Sequence, residues 1–288
     1  MVKLTDESAG RPDLAHINAL VDAGWSAQRA QDTPRGYLGG SRLGEDCERR
    51  LGYEWHRAPE DEGKRFTGRT LRIFERGHHA EDRMARYLRE AGFDLQTGDR
   101  GGQLGFGVAR DRETGQARIA GHIDGKILGW EHNLWINPAS GEWAAALPYP
   151  LLWEHKGLNA KNFKDLKRHG LKKSKPIYYT QVNIYMAYMD LKHAMFTAEC
   201  QDTCEVYVEI VPLDIATAQA ASDKGVRVVN SKRPEDLPRC AANADDFRCR
   251  FCPFAGTCWA EADVAELNGV KVAVAAPAWL SGLKADGE

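Results

Sequence analysis

The chain has 288 residues, of which 43% are hydrophobic and 28% charged, and its formal net charge is -2. This composition excludes a disordered chain, and the charge excludes a bulk attraction for nucleic acid, so such a partner would need a local basic patch. No window is apolar enough to span a membrane and the N-terminus has no signal-peptide pattern, which predicts a cytoplasmic protein without a membrane partner.

Hydrophobic spacing predicts three helices in the first third of the chain. The first covers about 13–30, and the second runs through SRLGEDCERRLGYEWHR, with Ser41 as its N-cap and Cys47 on its apolar side. The third runs from Thr70 to Gly92, because glycine is a favoured helix stop, and it carries RGHHAED. These segments predict a helical N-terminal region.

The rest of the chain alternates between strand and helix patterns. QLGFGVAR, ARIAGHIDGKILGW and HNLWIN predict a meander over 102–136 that ends in a turn at 137–141. A short apolar strand over 149–156, a helix over 177–191, a strand over 203–213 and a helix near 214–224 follow. The mixture predicts an α/β fold.

Three charged residues lie on two of these strands. Asp124 is placed late in a glycine-flanked strand, and the period of two puts Glu154 and Lys156 on one face, with His155 on the other. If the strands are neighbours, both carboxylates and the ammonium converge. Carboxylate oxygens are the ligands that Mg²⁺ and Mn²⁺ prefer, and a lysine can orient water or balance charge on a phosphate.

A basic segment follows directly. Residues 161–175 (KNFKDLKRHGLKKSK) contain seven Lys or Arg and a single acidic residue. A solvated helix face is the commoner meaning of such a run, but its position beside the carboxylates favours contact with a phosphate backbone.

GHIDG, LLWEHK and QVNIY resemble the motifs of the PD-(D/E)XK nuclease superfamily, in its RecB-like exonuclease branch, over roughly residues 40–260. RGHHAEDRMARYL is similar to that branch's first core helix. The resemblance implies a restriction-endonuclease-like α/β core with a central mixed β-sheet flanked by helices. It also implies a Mg²⁺- or Mn²⁺-dependent DNA exonuclease that acts in recombination, repair or phage DNA processing.

The resemblance assigns site residues one by one. Glu81, Asp124 and Glu154, with the backbone carbonyl of His155, would hold metal, and Lys156 would position the water. The residues expected to hold single- or double-stranded DNA ends are Gln181, Tyr185, Lys161, Lys164, Lys172 and Lys173.

Several of these residues have ordinary structural alternatives. Glu81 also fits a helix-surface carboxylate, and Tyr185 also fits the core. The resemblance also allows His78 or His79 to approach the site, although both fit a solvent-facing pair. His122, two residues before Asp124, could share its face, but a satisfied structural histidine is the expected interpretation.

The seven cysteines are an odd number, which points to metal ligation rather than disulfides in a reducing compartment. Cys249-x2-Cys252-x5-Cys258 supplies three thiols, and either Cys240 or Cys47 would supply the fourth. Four nearby thiols including Cys240 would form an ordinary zinc site. Cys200 and Cys204 are expected to be buried apolar residues.

Within the resemblance, RecB-like nucleases with an iron–sulfur cluster favour Cys47. A [4Fe–4S] cluster held by Cys47, Cys249, Cys252 and Cys258 would then join the N- and C-terminal regions, with Zn²⁺ as the alternative metal. The predicted organisation is an N-terminal helical extension over 1–40, a nuclease domain over 41–262 and an Ala-rich tail over 263–288.

The resemblance leaves a rival from another functional class. A non-catalytic, zinc-stapled nucleic-acid-binding or assembly protein would keep the fold and the basic segment but perform no chemistry. A recombination or annealing protein, or a helicase, is a further expected partner of the enzyme.

Overall fold

The computed structural model describes residues 14–31, 35–99, 102–131, 135–136, 143–144, 147–260, 264–267 and 270–273. Its α-helices are α1 (Leu14–Arg29), α2 (Glu48–Trp55), α3 (Gly68–Glu90), α4 (Ala160–Ser174), α5 (Pro176–Tyr188), α6 (Ile215–Asn230), α7 (Phe247–Arg250) and α8 (Ala255–Ala260). Short 3₁₀ turns cover Gly40–Arg42 and Pro234–Asp236. Within this part of the chain, none of the helices has both the length and the apolar character needed to cross a bilayer.

The first seven strands are β1 (Leu38–Gly39), β2 (Phe93–Gln96), β3 (Gly98–Asp99), β4 (Gly102–Gln103), β5 (Gly105–Arg110), β6 (Ala117–His122) and β7 (Gly125–Trp130). The others are β8 (Trp135–Ile136), β9 (Trp143–Ala144), β10 (Leu151–Leu158), β11 (His193–Cys200), β12 (Val206–Pro212), β13 (Val264–Leu267) and β14 (Val270–Ala273). The predicted turn at 137–141 and part of HNLWIN lie outside the described residues.

The central sheet has five strands in the order β12-β11-β10-β7-β2. The β10–β11 pair is parallel and the other pairs are antiparallel, so the sheet is mixed. Helix α3 packs on β10 and β2, and α4 and α5 pack on β11. The predicted α/β class, with a central mixed sheet flanked by helices, is confirmed.

Two separate cores cover the two faces of β10, because alternate residues of a strand point to opposite faces. Leu151 and Trp153 pack with Met84 of α3, whereas Leu152 and Leu158 pack with residues of α4, α5 and β11. All four side chains are at most 6% exposed, and burying each contributes about 1.5–3 kcal/mol. This burial fixes the orientation of the strand that carries Glu154 and Lys156.

A smaller three-stranded sheet, in the order β1-β6-β5, lies beside the central one. The chain leaves the small sheet after His122 and enters the central sheet at Gly125. The segment predicted as one strand over 117–130 is therefore two strands in two sheets. Asp124 lies at the junction rather than late in a strand, which corrects the sequence prediction.

Two helix predictions are also corrected. Helix α2 begins at Glu48, with Cys47 in the N-cap position, so Ser41 is not its cap and Cys47 is not on its apolar stripe. Helix α3 begins at Gly68, because the side chain of Thr67 accepts a hydrogen bond from the Thr70 amide at 3.2 Å. Its predicted stop is confirmed by Gly92, which has a φ of 84°.

Strand β11 is absent from the sequence prediction, although it is an interior strand of the central sheet, between β10 and β12. Cys200 at its end is 1% exposed, as expected, but Cys204 is exposed, so its predicted burial is wrong. The domain boundaries at 40 and 262 stay predictions.

Candidate active site

A cleft of about 690 Å³ opens where the two sheets meet helices α3 and α5. Six of the predicted site residues line it: Glu81, Asp124, Glu154, Lys156, Gln181 and Tyr185. They come from α3, the β6–β7 junction, β10 and α5. The fold therefore gathers acids, a lysine and polar groups from positions between 81 and 185 of the sequence.

Asp124 extends the pairing of two strands through its side chain. The β7–β10 register ends at Gly125 opposite Trp153, and the Asp124 Oδ2 atom then accepts a hydrogen bond from the His155 amide at 2.7 Å. The carboxylate thereby satisfies a backbone donor at the point where the ladder stops. This contact confirms that the Asp124 and Glu154 segments are neighbours.

Glu154 is the most deeply buried acid of the cleft, with an exposed fraction of 0%. Its Oε1 atom accepts hydrogen bonds from the Lys156 ammonium and from Gln181 Nε2, the latter at 2.5 Å. Its Oε2 atom is also buried but has no hydrogen-bond partner among the described residues. A buried carboxylate oxygen without a donor is costly unless a cation or a proton occupies it.

Lys156 lies on the same face as Glu154, as predicted. Its side chain is 23% exposed, and its ammonium lies 5.5 Å from the centre of the Tyr178 ring. Burial lowers the pKa of Lys156, but the Glu154 and Asp124 carboxylates outweigh that effect and raise it above its usual range. The lysine is therefore protonated at neutral pH.

The three acids of the cleft behave differently from surface carboxylates. Burial, and then the charge of Asp124, raises the pKa of Glu154 to about 8 and that of Glu81 to about 7. Burial also raises the pKa of Asp124, against the effect of Lys156. One lysine does not neutralise three close carboxylates, so a neutral site holds protons.

This donor set fits a divalent cation. Its ligating atoms are hard carboxylate oxygens, and Glu154 Oε2 is buried without a donor. Within the described ranges, no three His, Cys, Asp or Glu side chains are already gathered closely enough to hold a metal ion together. In this structure Glu154 bonds Lys156 and Asp124 bonds the His155 amide. The role of the His155 carbonyl stays a prediction.

Tyr185 forms the floor of the cleft and is 3% exposed. A Cβ atom on Gly40 or Gly121 would lie 2.7 or 2.8 Å from its ring, so both positions require glycine. The ring also meets Phe106 edge-on, with centroids 5.4 Å apart. Tyr185 therefore packs in the core and also lines the cleft, and its contact with DNA stays a prediction.

His155 points to the opposite face, as predicted. Its Nδ1 atom lies 2.9 Å from the Thr197 hydroxyl, which also accepts a hydrogen bond from Trp153 Nε1 at 2.9 Å. Burial, and then the charge of Lys156, lowers the pKa of His155 to about 3, so the ring is neutral.

The other histidines differ from one another. His78 lines the cleft, whereas His79 is exposed and lies 3.9 Å from Glu75. His122 also lines the cleft and is exposed, with its ring edge-on to Tyr37 at 6.4 Å. The expectation of a satisfied structural His122 is therefore wrong.

The basic segment lies on helix α4 and does not line the cleft. Lys161, Lys164 and Lys173 are exposed, and Lys172 pairs with Asp214 at 3.0 Å. Contact between these lysines and DNA stays a prediction. The cationic lining of the cleft instead includes Arg35 and Arg42.

Residues 35–42 also form part of the cleft, although no site role was predicted for them from the sequence. Arg35, Tyr37, Ser41 and Arg42 all line the cleft, and Arg42 is held by Glu54 at 2.7 Å. The segment RGYLGGSR has no helix or strand period. Its three glycines, interleaved with arginine and tyrosine, were the available signal of close backbone approach.

Five cysteines line a separate pocket, the cysteine pocket: Cys47, Cys240, Cys249, Cys252 and Cys258. None of the seven cysteines is disulfide-bonded. Burial raises the pKa of Cys240 to about 12 and of Cys252 to about 11, with smaller contributions from the Cys47 thiol. Arg50, Arg239 and Arg248 line the same pocket, and their charge would balance thiolates bound to a metal.

Both candidates for the fourth ligand lie in this pocket. The Cys47 thiol contributes to the raised pKa of Cys240, and Cys47 is the N-cap residue of helix α2. Cys258 accepts a hydrogen bond from Arg239 Nε at 3.3 Å. Thiolate donors suit a metal or cluster, although no three of these thiols are already gathered closely enough to hold a metal ion. The choice between [4Fe–4S] and zinc stays a prediction.

No protein-family model matches the chain, and no curated protein matches it. Among solved structures, it aligns with the protein SSO0001 at 13% identity and a TM-score of 0.43, over 84% of this chain and 96% of the other. An alkaline exonuclease (LHK-Exo) from Laribacter hongkongensis aligns at 16% identity and a TM-score of 0.40, over 72% and 90%. Its complex with dAMP gives 17% identity and a TM-score of 0.41 over the same shares.

Proposed function

We propose that the chain is a divalent-metal-dependent deoxyribonuclease, acting as an exonuclease at DNA ends. The observation that carries this proposal is the buried Glu154 carboxylate, whose Oε2 atom has no donor among the described residues. It shares the cleft with Asp124, Glu81 and Lys156. Such a set of hard oxygen ligands with a positioned ammonium suits metal-assisted phosphodiester hydrolysis.

Each residue would have a defined part. Glu154, Asp124 and Glu81 would hold Mg²⁺ or Mn²⁺, and a bound ion supplies polarisation of the phosphate and acidification of water. Lys156 would donate a hydrogen bond to a phosphate oxygen or orient the attacking water. Gln181, which now donates to Glu154 Oε1, would keep that carboxylate aimed into the cleft. Tyr185 would limit the depth to which the strand enters.

The choice of DNA rests on the sequence motifs and on the charge around the cleft. Arg35, Arg42 and Lys156 line it, and the exposed lysines of α4 would engage the backbone farther away. The proposed setting is recombination, repair or phage DNA processing, with an annealing protein or a helicase as a partner.

We also propose a [4Fe–4S] cluster in the cysteine pocket, held by Cys47, Cys249, Cys252 and Cys258. Four thiolates suit such a cluster, and three arginines line the pocket. Its role would be structural, because it would tie α2 to the segment that carries α7 and α8. Zinc is the alternative occupant.

The enzymatic proposal is tested on end-labelled single- and double-stranded DNA with Mg²⁺, Mn²⁺ or EDTA. The wild type should release nucleotides with a divalent ion, and Lys156→Ala should lower kcat about 100-fold or more, because the developing charge loses its partner. Lys192→Ala is the matched control, since that lysine is exposed beside Asp190 at 3.3 Å. A wild type that is inert with every metal would leave only the non-catalytic nucleic-acid-binding alternative.

Asp124→Asn separates the loss of a metal ligand from the loss of the folded structure. Its amide oxygen can still accept the hydrogen bond of the His155 amide, while the charge that ligates metal is lost. We expect an inactive protein that melts in EDTA no lower than the wild type, because one of three crowded acids is removed. Full activity in Asp124→Asn would contradict the assigned site.

A further inference from the structure

The cleft that contains Glu81, Asp124 and Glu154 is the acidic cleft. A second cavity, of about 550 Å³, adjoins it. The two share Arg35, Tyr37, Ser41 and Arg42 as lining residues, so they form one continuous depression. The second cavity extends away from the carboxylates toward the end of helix α2. A substrate strand that lies in the cleft would have this cavity beside it.

The lining of the second cavity combines positive charge with aromatic rings. It contains the guanidinium groups of Arg35, Arg42 and Arg57 and one acid, Glu54. Glu54 is already bound by Arg42 through two hydrogen bonds of 3.0 and 2.7 Å. Within the described ranges, no carboxylate lies at ion-pair distance from Arg35 or Arg57, and the Arg57 guanidinium donates a hydrogen bond to the Arg35 carbonyl at 3.4 Å.

Two aromatic side chains stand in the same cavity. Tyr37 lies at the boundary with the acidic cleft, where its ring meets His122. Trp55 is the last residue of α2, half-buried against the core, and is therefore held in place. Aromatic faces interleaved with unpaired cations are the lining that binds single-stranded nucleic acid, because every base has a stackable face.

The backbone holds Arg57 in an unusual conformation at this rim. Its φ is 53°, a left-handed value that residues other than glycine rarely adopt. Helix α2 ends just before it, and the amides of Arg57 and Ala58 close the turn on Glu54 and Tyr53 at 3.2 and 2.9 Å. This is the Schellman arrangement that ends many helices, and it fixes the position from which the Arg57 side chain leaves the backbone.

We infer that the second cavity binds an unpaired nucleotide of the DNA strand whose phosphodiester lies in the acidic cleft. Its base would stack on Trp55 or Tyr37, and its phosphate would pair with Arg35 and Arg57. This inference rests on the proposed function. A base that stacks on a protein ring inside a cavity has left the duplex stack, so the substrate class is a strand end with unpaired nucleotides.

Binding is measured in EDTA, so that it does not depend on cleavage, by the fluorescence anisotropy of a labelled oligodeoxythymidine. Trp55→Ala should weaken binding about tenfold, and Trp55→Phe should restore most of it, because a ring suffices for stacking. Tyr87→Ala, an exposed ring on α3 away from both cavities, is the matched control and should bind as the wild type does.

Arg57→Ala should lower the slope of log affinity against log salt concentration by about 0.7, the value for one phosphate contact on a single strand. Arg112→Ala, an exposed arginine outside the cavity, should leave the slope unchanged. A loss of structure alone would not change this slope selectively.

Hydrolysis of bis(p-nitrophenyl) phosphate separates the two proposals. That small diester reaches only the acidic cleft, so Trp55→Ala should retain the wild-type kcat/KM for it while KM for DNA rises. If Trp55→Ala binds oligodeoxythymidine as the wild type does, or loses activity equally on both substrates, the inference is wrong. A wild type that binds the strand but cleaves nothing contradicts the proposed function alone.

Discussion

Glu154 and Glu81 combine two properties that conflict in a metal-free protein. Their burial and their proximity to Asp124 favour the protonated acid, whereas metal binding requires the carboxylate. Raised pKa values of about 8 and about 7 place both groups in the range where protons and cations compete. At the residue scale, the site is therefore unstable in the charged form that function needs.

Glu154→Gln should flatten the pH dependence of stability. The pKa of Glu154 is raised from 4.5 to about 8 in the folded state, so its contribution is complete below pH 4.5 and is lost as pH rises toward 8. Between these limits the free energy of unfolding of the wild type in EDTA should fall by up to about 1 kcal/mol per pH unit from this group.

Urea unfolding at pH 5, 6, 7 and 8 measures this effect. The glutamine variant keeps an oxygen for Gln181 and should show a smaller fall than the wild type over the same range. Identical slopes in the two proteins would show that Glu154 is not held protonated by the fold.

At the scale of elements, strand alternation predicted the shared face of Glu154 and Lys156 correctly, because β10 is regular and its two faces pack on different cores. The same rule treated 117–130 as one strand, since a change of sheet leaves the period unaltered. The hydrogen bond from His155 to Asp124 joins residues 31 positions apart, and no local pattern reports it.

Two other elements were not predicted from the sequence, for different reasons. Strand β11 is buried on both faces, so it shows no alternation, and it directly follows a helix whose apolar pattern runs into it. Segment 35–42 has no period at all, yet it lines both cavities. The core acids were thus predictable, whereas the arginines around them were not.

Gly121→Ala tests the contact between β6 and α5. The added Cβ would lie 2.8 Å from the rings of Phe106 and Tyr185, so overpacking should lower the free energy of unfolding by about 1–3 kcal/mol and reduce nuclease activity. Gly129→Ala in β7 meets nothing within 4 Å and is the matched control. Chemical denaturation of both variants gives the comparison, and equal stability would rule out the tight floor of the cleft.

At the scale of the molecule, the C-terminal segment is attached to α2 independently of any metal. Arg49 donates to the carbonyls of Leu237 and Glu235 at 2.8 and 2.7 Å, and the ring of Tyr53 stacks on Phe254 at 5.2 Å. Asp61 accepts hydrogen bonds from the Gly256 and Thr257 amides. The convergence of the cysteines was predictable from their spacing and the resemblance, but the presence of both Cys47 and Cys240 in one pocket was not.

The occupant of the cysteine pocket is identified by metal analysis of anaerobically purified protein. Iron, sulfide and brown colour are expected, and Cys47→Ala should bleach the protein and lower its Tm by about 5 °C or more, because the link between α2 and α7 is lost. Cys204→Ala, an exposed cysteine outside the pocket, should retain both.

Cys240→Ala completes the test of the cluster ligands. If Cys47 is the fourth ligand, this variant should keep its iron, whereas bleaching of Cys240→Ala with retained colour in Cys47→Ala would reverse the assignment. Colourless wild type with one zinc per chain would replace the cluster by a zinc site.

The hydrogen bond from the His155 amide to Asp124 has a consequence for how the sheet assembles. Continuing the β7–β10 register by one residue places Asp124 opposite Glu154. A slip of one residue would instead bring Ile123, a fully buried side chain, or Gly125 to that place. The His155 amide would then lose its acceptor, and the acid would turn away from the cleft. The side chain proposed to bind metal therefore also stabilises the native strand register. A sheet in the wrong register would be both less stable and inactive.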